Sequence, residues 1–304
     1  MAMMRCKQLE VEGDKLDRLT NLPINVQHRI QESLSIEEAA RMSVLSRPWR
    51  HVWASIPKLV FSPHFCQSKP SDTLINVINT ILLQHHGAIK TFHLNISSIP
   101  SSQHSVIDQW MFLLSRNGVM DLTLQNLDNK APYRLSYPMY GVELERLSLS
   151  NCIFKPPCSF RGFHKLKKLS LLKVALEDVA TSFLWMPNLV YLLDLLFLLS
   201  SKKNGGVEVN VNHFEGPACR TLGLNKLQQL KIDNFHGSRT EMLFVRSILS
   251  SAPLLLKTII NEDADSVHES QRLKISKELM GFPRASPKLE IICEQSEMDT
   301  DVLY

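Results

Sequence analysis

Apolar residues recur at fixed spacings along the middle of this 304-residue chain, and this repetition constrains its fold more than any other feature. In each of five short runs, the first, fourth and sixth positions are apolar, and the later positions alternate as in a strand with one buried face. From Leu122 to Leu147 is 25 residues, and from Leu147 to Leu169 is 22. Units this short cannot bury their own strands, so the spacing predicts a curved solenoid of stacked repeats. The runs are Ile89/Phe92/Leu94, Val119/Leu122/Leu124, Leu144/Leu147/Leu149, Leu166/Leu169/Leu171 and Leu227/Leu230/Ile232.

The period is that of a leucine-rich repeat. Cys152 follows the run that begins at Leu144, at a position where this repeat accepts Asn or Cys, so we interpret it as a buried thiol and not as a nucleophile. The apolar stretch Leu189–Leu199 breaks the repeat phase. Asp194 interrupts it and it is far shorter than the ~20 apolar residues of a membrane-spanning helix, which predicts buried core and no membrane partner.

A helical pattern precedes the repeats. Between Leu16 and Phe61, apolar residues fall into three groups at helical spacing, which predicts three short helices. Pro23 suits the first turn of the first helix, and residues 35–38 (Ser-Ile-Glu-Glu) form a capping box for the second. Trp49 and Trp53 lie on the third helix. A unit of this size buries little surface, so the two tryptophans predict a partner that covers them.

Composition and charge exclude several classes of protein. Lys and Arg total 34 against 30 acidic residues, and a net charge of +4 is too weak to predict nucleic acid as a partner. The six cysteines form no C-x-x-C pair, which favours reduced thiols and an intracellular protein of the cytoplasm or nucleus. The amino-terminal residues lack the apolar core of an export signal. The sequon at Asn95 is therefore interpreted as accidental.

No motif in the sequence predicts an enzyme, a cofactor or a metal site. A Gly-rich phosphate loop, a nucleophile elbow and metal-ligand spacing are all missing. His85 and His86 are adjacent, so on a regular element they point apart, and solvent exposure is the simpler interpretation. Lys165, Lys167 and Lys168 are interpreted in the same way, as a solvated basic face.

The first helical group resembles an F-box of the plant type, and later segments resemble the repeats and the carboxyl-terminal FBD module of plant F-box/FBD/LRR-repeat proteins. Together the similar segments cover most of the chain. For the F-box, the similarity rests on residues 17–19 (Asp-Arg-Leu), Leu22-Pro23, Val26, Ile30, Leu34, Ala39-Ala40-Arg41, Val44-Leu45-Ser46-Arg47, Trp49-Arg50, Trp53 and residues 56–61. For the repeats it rests on residues 159–163 and 169–171, and for the FBD module on residues 230–232, 235–237, 252–255 and 282–286 (Phe-Pro-Arg-Ala-Ser).

The resemblance implies an α/β chain with three parts: a three-helix F-box at residues 16–61, a short degenerate leucine-rich-repeat solenoid at 62–226, and an FBD α+β unit at 227–293. The pattern after Leu227 agrees with the last part, because it predicts helices at Glu241–Ser250 and near Arg272–Met280 and a final strand at Leu289–Cys293. The implied function is that of a non-catalytic substrate receptor of a cullin-type ubiquitin ligase. Two alternatives stay open, an adaptor-weak scaffold or decaying paralogue and a ligand-sensing receptor.

The family's adaptor-docking surface maps onto eight residues of the helical group. We expect the Skp-type adaptor, and through it the cullin, to bind there, although some of these side chains also form the unit's own core. Gln27, Gln31 and Glu32 replace apolar residues of the family, which predicts a more polar docking surface. The eight residues are Leu22, Pro23, Val26, Ile30, Leu34, Leu45, Trp49 and Trp53.

The repeat strands predict a target surface on the face opposite the buried leucines, because successive strand side chains point to opposite faces. Arg146, Ser148, Lys168 and Ser170 are the expected contacts, within an outward patch that also includes Asp121, Thr123, Gln125, Ser150 and Leu172. Arg146 and Lys168 occupy equivalent positions of neighbouring repeats, so together they would hold an acidic element of the target. Binding through loops or the FBD unit is the alternative.

Overall fold

The computed structural model describes Leu19 and residues 21–126, 131–176, 186–195, 224–262 and 269–295. The chain divides into two compact units, residues 1–56 and residues 57–304. The first unit contains α1 (Ile24–Glu32), α2 (Ile36–Leu45) and α3 (Arg47–Trp53), and α3 packs against the other two. The three helices predicted before the repeats are therefore present.

The second unit is organised around parallel strands that follow one another in space in the order of the sequence. In the described residues, nine strands form one sheet, in the order β1-β2-β3-β5-β7-β9-β10-β11-β12, and β4-β6-β8 form a second sheet. This arrangement is the predicted solenoid, in which each strand pairs with the strand of the next repeat. The strands are β1 (Lys58–Phe61), β2 (Thr91–Asn95), β3 (Asp121–Gln125), β4 (Tyr133–Arg134), β5 (Arg146–Ser150), β6 (Cys152–Phe154), β7 (Lys168–Leu172), β8 (Ala175–Leu176), β9 (Tyr191–Leu195), β10 (Gln229–Phe235), β11 (Lys257–Glu262) and β12 (Glu290–Gln295).

The repeated apolar residues form the core of this unit. Leu122, Leu147, Leu169 and Leu192 stand side by side in the register of four neighbouring strands. Every member of the five predicted runs is at most 3% exposed. Burial of one strand face in each repeat is what holds successive repeats together.

The length of each repeat decides which structure returns the chain to the next strand. From Leu59 to Phe92 is 33 residues and from Phe92 to Leu122 is 30. In these long repeats, and in those after β10 and β11, a helix connects one strand of the main sheet to the next. The short repeats around β5 and β7 leave no room for a helix of several turns, and they return through the small second sheet. The helices are α4 (Pro63–Gln67), α5 (Ser71–Gln84), α6 (His104–Arg116), α7 (Arg239–Ser251) and α8 (Glu269–Met280).

The main sheet extends across both predicted domain boundaries. β1 lies inside the range predicted for the first domain, 16–61, yet it pairs with β2, and its Leu59 and Phe61 are buried. At the predicted boundary between 226 and 227, β10 pairs with β9 on one side and β11 on the other. The helices and strands predicted after Leu227 are present, and their strands continue the repeat sheet.

The apolar stretch Leu189–Leu199 contributes a strand to the sheet. Leu189 and Leu192 are fully buried, as predicted, but Tyr191 is 38% exposed on the opposite face; residues 196–199 lie outside the described part of the chain. In the described ranges, no helix combines the length and apolarity needed to cross a membrane. Asn95 of the sequon is 1% exposed, and its Oδ1 accepts a hydrogen bond from the Ser97 amide.

Candidate protein-interaction surfaces

Local sequence signals set the three helices of the first unit. Ser35 and Glu38 cap α2 reciprocally: the Ser35 amide donates to Glu38 Oε2 over 2.9 Å, and the Glu38 amide donates to Ser35 Oγ over 3.3 Å. The backbone hydrogen bond from Ser35 holds the pKa of the Glu38 carboxyl below its ordinary value. Ser46 Oγ caps α3, and His28 Nε2 lies 3.1 Å from Ser55 Oγ. The predicted capping box is confirmed, because a reciprocal cap depends only on residues three apart.

The predicted adaptor-binding residues differ in accessibility. Pro23 is exposed, whereas Leu22, Val26, Ile30, Leu34 and Trp53 are half-buried. Trp49 is only 4% exposed. The chain itself covers this ring, which corrects the expectation that both tryptophans need an outside partner. The side chain of Leu45 lies outside the described part of the structure.

Three apolar side chains that are not among the eight predicted adaptor-binding residues are open to solvent. Leu19 is 52% exposed, Ile24 is 55% exposed and Val44 is 75% exposed. Ile24 begins α1 directly after Pro23, and Val44 lies in the last turn of α2. Helical periodicity places an apolar residue on a helix face, but it does not say whether the protein itself covers that face.

The glutamines of α1 point inward. Gln27 is 6% exposed and Gln31 is 1% exposed, so the expectation that they make the docking surface polar is wrong. Gln27 Nε2 donates to the Leu19 carbonyl over 3.4 Å. Both amide atoms of Gln31 are buried without a hydrogen-bond partner in the described structure. An unsatisfied buried amide destabilises the folded unit, so the effect of Gln31 falls on stability and not on surface chemistry.

The open face of the repeat sheet carries a line of side chains that we call the strand-start row. It consists of the residues at the start of five neighbouring strands, and it runs across them in register: Arg146, Lys168, Tyr191, Gln229 and Lys257. The residue after each of them is buried, so the row itself points away from the core. Arg146, Lys168, Tyr191 and Gln229 are exposed and Lys257 is half-buried.

An ionic cluster lies at one end of the row. Asp121 Oδ2 accepts a hydrogen bond from Arg146 Nε over 2.8 Å, and Asp121 Oδ1 lies 3.2 Å from His93 Nε2. Burial raises the pKa of the Asp121 carboxyl, but the close contact with His93 and the hydrogen bond from Arg146 outweigh burial and leave the pKa below its usual range. Asp121 therefore remains a carboxylate at neutral pH and fixes the position of the Arg146 guanidinium.

The predicted outward patch is less open than expected. Arg146 and Lys168 are exposed and Ser148 is half-buried, but Ser170 is only 8% exposed. Ser170 lies between Ser148 and Leu193 in the register, and so short a side chain is shielded by its neighbours on a parallel sheet. Asp121 and Ser150 are buried as well. Of the four predicted target contacts, Ser170 is the one that the structure removes from the surface.

The basic residues beside β7 divide into two kinds. Lys165 Nζ lies 2.6 Å from Glu143 Oε2, and Lys167 Nζ lies 2.8 Å from Glu145 Oε2, so each pairs with the preceding repeat. In the described residues, Lys168 has neither an ion pair nor a hydrogen bond from its side chain. The sequence predicts that the three lysines form one solvated basic face, but Lys165 and Lys167 are paired with glutamates and only Lys168 is not.

Cys152, which the sequence places in the leucine-rich-repeat pattern, lies in the interior of the repeat unit. Cys152 is fully buried, and burial raises its pKa to about 12. Its thiol donates to the Ser150 carbonyl over 3.3 Å, as expected for a structural residue of the repeat. The described ranges contain no group of three His, Cys, Asp or Glu residues suited to a metal ion.

Comparison with known proteins identifies the relatives of this architecture. Residues 81–189, which include β2, β3, β5 and β7, match the family described as At1g61320/AtMIF1, LRR domain. F-box/FBD/LRR-repeat protein At1g13570 of Arabidopsis thaliana is 36% identical over 166 residues, which are 52% of this chain and 39% of that protein. The chain is a homologue of the plant F-box/FBD/LRR-repeat proteins.

Two further relatives of this group extend the match. Putative F-box/LRR-repeat protein At5g02930 of A. thaliana is 32% identical over 57% of this chain and 36% of its own length. F-box/FBD/LRR-repeat protein At2g04230 of the same plant is 24% identical over 91% of this chain and 73% of its own length. The chain spans about two fifths of the length of At1g13570 and At5g02930. The leucine-rich-repeat part of the predicted architecture is thus confirmed.

Proposed function

We propose that this chain is a substrate receptor of a cullin-type ubiquitin ligase. The three-helix unit docks a Skp-type adaptor, which links it to the cullin, and the repeat sheet holds a protein target for ubiquitination. The observation that carries this proposal is the set of exposed apolar side chains on a small helical unit that is separate from the repeat sheet. The homology to F-box/FBD/LRR-repeat proteins supports it.

Exposed aliphatic side chains and prolines on a helical surface are suited to anchoring a protein partner. A few apolar side chains that become buried together supply most of the free energy of such an interface. Pro23 and Ile24 are exposed at the start of α1, with Leu22 half-buried beside them. We therefore place the first adaptor contact at this end of α1, together with the predicted residues Val26 and Ile30.

The receptor itself carries out no bond chemistry in this proposal. A nucleophilic cysteine needs a lowered pKa and access to solvent, and Cys152 has neither. Ubiquitin is then transferred by the other subunits of the ligase. Purified chain mixed with only the activating and conjugating enzymes is expected to transfer no ubiquitin, whereas transfer in that mixture contradicts this part of the proposal.

A second candidate, an adaptor-weak scaffold, is favoured by one observation. The unsatisfied amide of Gln31 lowers the stability of the unit that would dock the adaptor. A partly unfolded docking unit would reduce the apparent affinity for the adaptor in proportion to its folded fraction.

Affinity capture separates the two candidates. The full chain is used as bait, degradation is blocked with a proteasome inhibitor, and the Skp-type adaptor and cullin are quantified among the captured proteins. The receptor predicts near-stoichiometric adaptor together with cullin. Capture of neither protein by a folded chain contradicts the receptor and favours the scaffold.

A further inference from the structure

The strand-start row contains two lysines that the protein leaves unpaired. Lys168 and Lys257 have no ion pair and no side-chain hydrogen bond in the described residues. Two other lysines beside β7 are neutralised, since Lys165 and Lys167 each meet a glutamate of the preceding repeat. A single exposed, unpaired lysine is common on protein surfaces. Two such lysines aligned across a sheet attract two negative charges of one extended ligand.

Between Lys168 and Lys257 the strand-start row itself carries no acidic side chain. Between these lysines the row contains only Tyr191 and Gln229. Two residues further along β10, Lys231 is paired, because its Nζ lies 3.4 Å from Asp233 Oδ1. The carboxylates next in register beyond the two ends of the row are Asp121, beside Arg146, and Glu290, beside Lys257. Asp121 is already occupied by Arg146 and His93. The charge along this stretch of the row is therefore that of Lys168 and Lys257.

The spacing of the two lysines defines the shape of a ligand. Lys168 on β7 and Lys257 on β11 are separated by three strand intervals, which at ~4.8 Å each correspond to roughly 14 Å. An extended polypeptide advances ~3.3 Å per residue, so roughly four residues cover this distance. Tyr191 lies one interval from Lys168 and presents an exposed ring between the two charges.

We propose that Lys168, Tyr191 and Lys257 bind an extended acidic segment of a protein target, which crosses the strands with two carboxylates about four residues apart. Each carboxylate forms a charge-assisted contact with one lysine, and an apolar side chain between them packs on the Tyr191 ring. This inference rests on the proposed function, which supplies the protein target. It adds the chemistry of that target, and it replaces the predicted Arg146–Lys168 pair by the pair Lys168 and Lys257. Arg146 is engaged by Asp121 and lies at the border of the site.

The test measures direct peptide binding by the purified full chain, with no adaptor present. The probes are fluorescent ten-residue peptides of Gly and Ser that carry a central leucine and two aspartates, at spacings from two to six residues. Fluorescence anisotropy at low salt is expected to show the tightest binding at a spacing of four. A peptide with lysines in place of the aspartates is expected not to bind.

Two double variants locate the site. K168A/K257A is expected to weaken binding of the best peptide about tenfold, because both charged contacts are lost. K165A/K167A removes the same charge from residues just before Lys168 in the chain, and it is expected to change binding less than twofold. Y191A is expected to remove the preference for the central leucine.

Several results would overturn the proposal: unchanged binding by a folded K168A/K257A variant, no dependence on aspartate spacing, or equally tight binding of a DNA duplex of matched charge. The last result would identify a general polyanion surface. Because the assay contains no adaptor, failure to bind peptide is distinct from failure of the adaptor capture described above.

Discussion

At the scale of single residues, the polar side chains inside this protein are of two opposite kinds. Asp121 is buried with two partners, and Gln31 is buried with none in the described structure. A buried polar group with hydrogen-bond partners fixes the positions of the side chains around it. A buried polar group without partners only costs the free energy of its desolvation. The two residues therefore predict opposite responses to substitution.

Replacing Gln31 with leucine is expected to stabilise the three-helix unit by roughly 1–3 kcal/mol, because it removes an unsatisfied amide and keeps a similar volume. Amide hydrogen exchange of α1–α3 measures the free energy of opening of this unit alone. Q27L is the matched control: Gln27 is one helical turn away and buried, but its amide donates to the Leu19 carbonyl. Faster exchange in Q31L than in the natural chain would contradict the prediction.

Replacing Asp121 with asparagine is expected to destabilise the repeat unit at pH 7 by about 2 kcal/mol, because His93 and Arg146 lose a charged partner. The pKa of Asp121 is lowered in the folded state, so its contribution is complete above the usual carboxyl pKa of about 4. The contribution then disappears as the pH falls through the lowered value. Denaturant unfolding at pH 7 and pH 2.5 checks this.

The matched control for Asp121 is E143Q, which breaks the pair with Lys165 between two largely exposed side chains. Solvent screens such a pair, so little change is expected at either pH. If D121N and E143Q shift the unfolding midpoint equally, the buried ion pair of Asp121 stabilises the protein no more than an exposed one.

At the scale of elements, the turn between β10 and α7 depends on a glycine. Gly237 has φ of +69°, and a Cβ atom there would lie 2.6 Å from Cγ1 of Ile275 on α8. Ile275 is buried, so it has little freedom to move aside. The turn therefore combines a left-handed backbone conformation with close packing of the next helix.

Replacing Gly237 with alanine is expected to lower the free energy of unfolding by about 3 kcal/mol, from backbone strain and displacement of Ile275 together. G118A is the control that separates the two causes. Gly118 has φ of +72°, but a Cβ atom there meets nothing within 4 Å. A loss of about 1 kcal/mol is expected for G118A from strain alone, and equal losses in the two variants would exclude the packing contribution.

At the scale of the whole molecule, the separation of the chain into two units predicts that binding of the adaptor can be lost without loss of the repeat sheet. In the proposed receptor, the exposed apolar residues of the first unit contribute to the adaptor interface, whereas the buried leucines of the second unit contribute to its own stability. Variants in one unit should therefore leave the other unit folded.

The double variant L22A/P23A is expected to reduce capture of the Skp-type adaptor at least tenfold, because anchor residues carry a disproportionate share of interface energy. Hydrogen exchange of the repeat strands β2–β11 should remain unchanged. L83A, which truncates an 80% exposed leucine on α5, is the control and is expected to capture the adaptor normally. Normal capture by L22A/P23A would show that these two residues are not anchors.

The sequence by itself determined the features that depend on short separations along the chain. The triplet Leu144/Leu147/Leu149 is buried because alternate strand positions must share one face, and Ser35 caps α2 because Glu38 lies three residues away. The repeat spacing likewise fixed the class of fold, since strands of short units can bury their apolar face only against one another.

Only the tertiary structure decided the features that depend on what covers a residue and which strands become neighbours. Helical spacing alone does not distinguish buried Trp49 and Gln31 from exposed Val44, because exposure depends on how the three helices pack. From Lys168 to Lys257 is 89 residues, and they share one row only because the intervening strands pair in this register. A register is the outcome of contacts between distant segments, and the pattern within any one segment does not specify it.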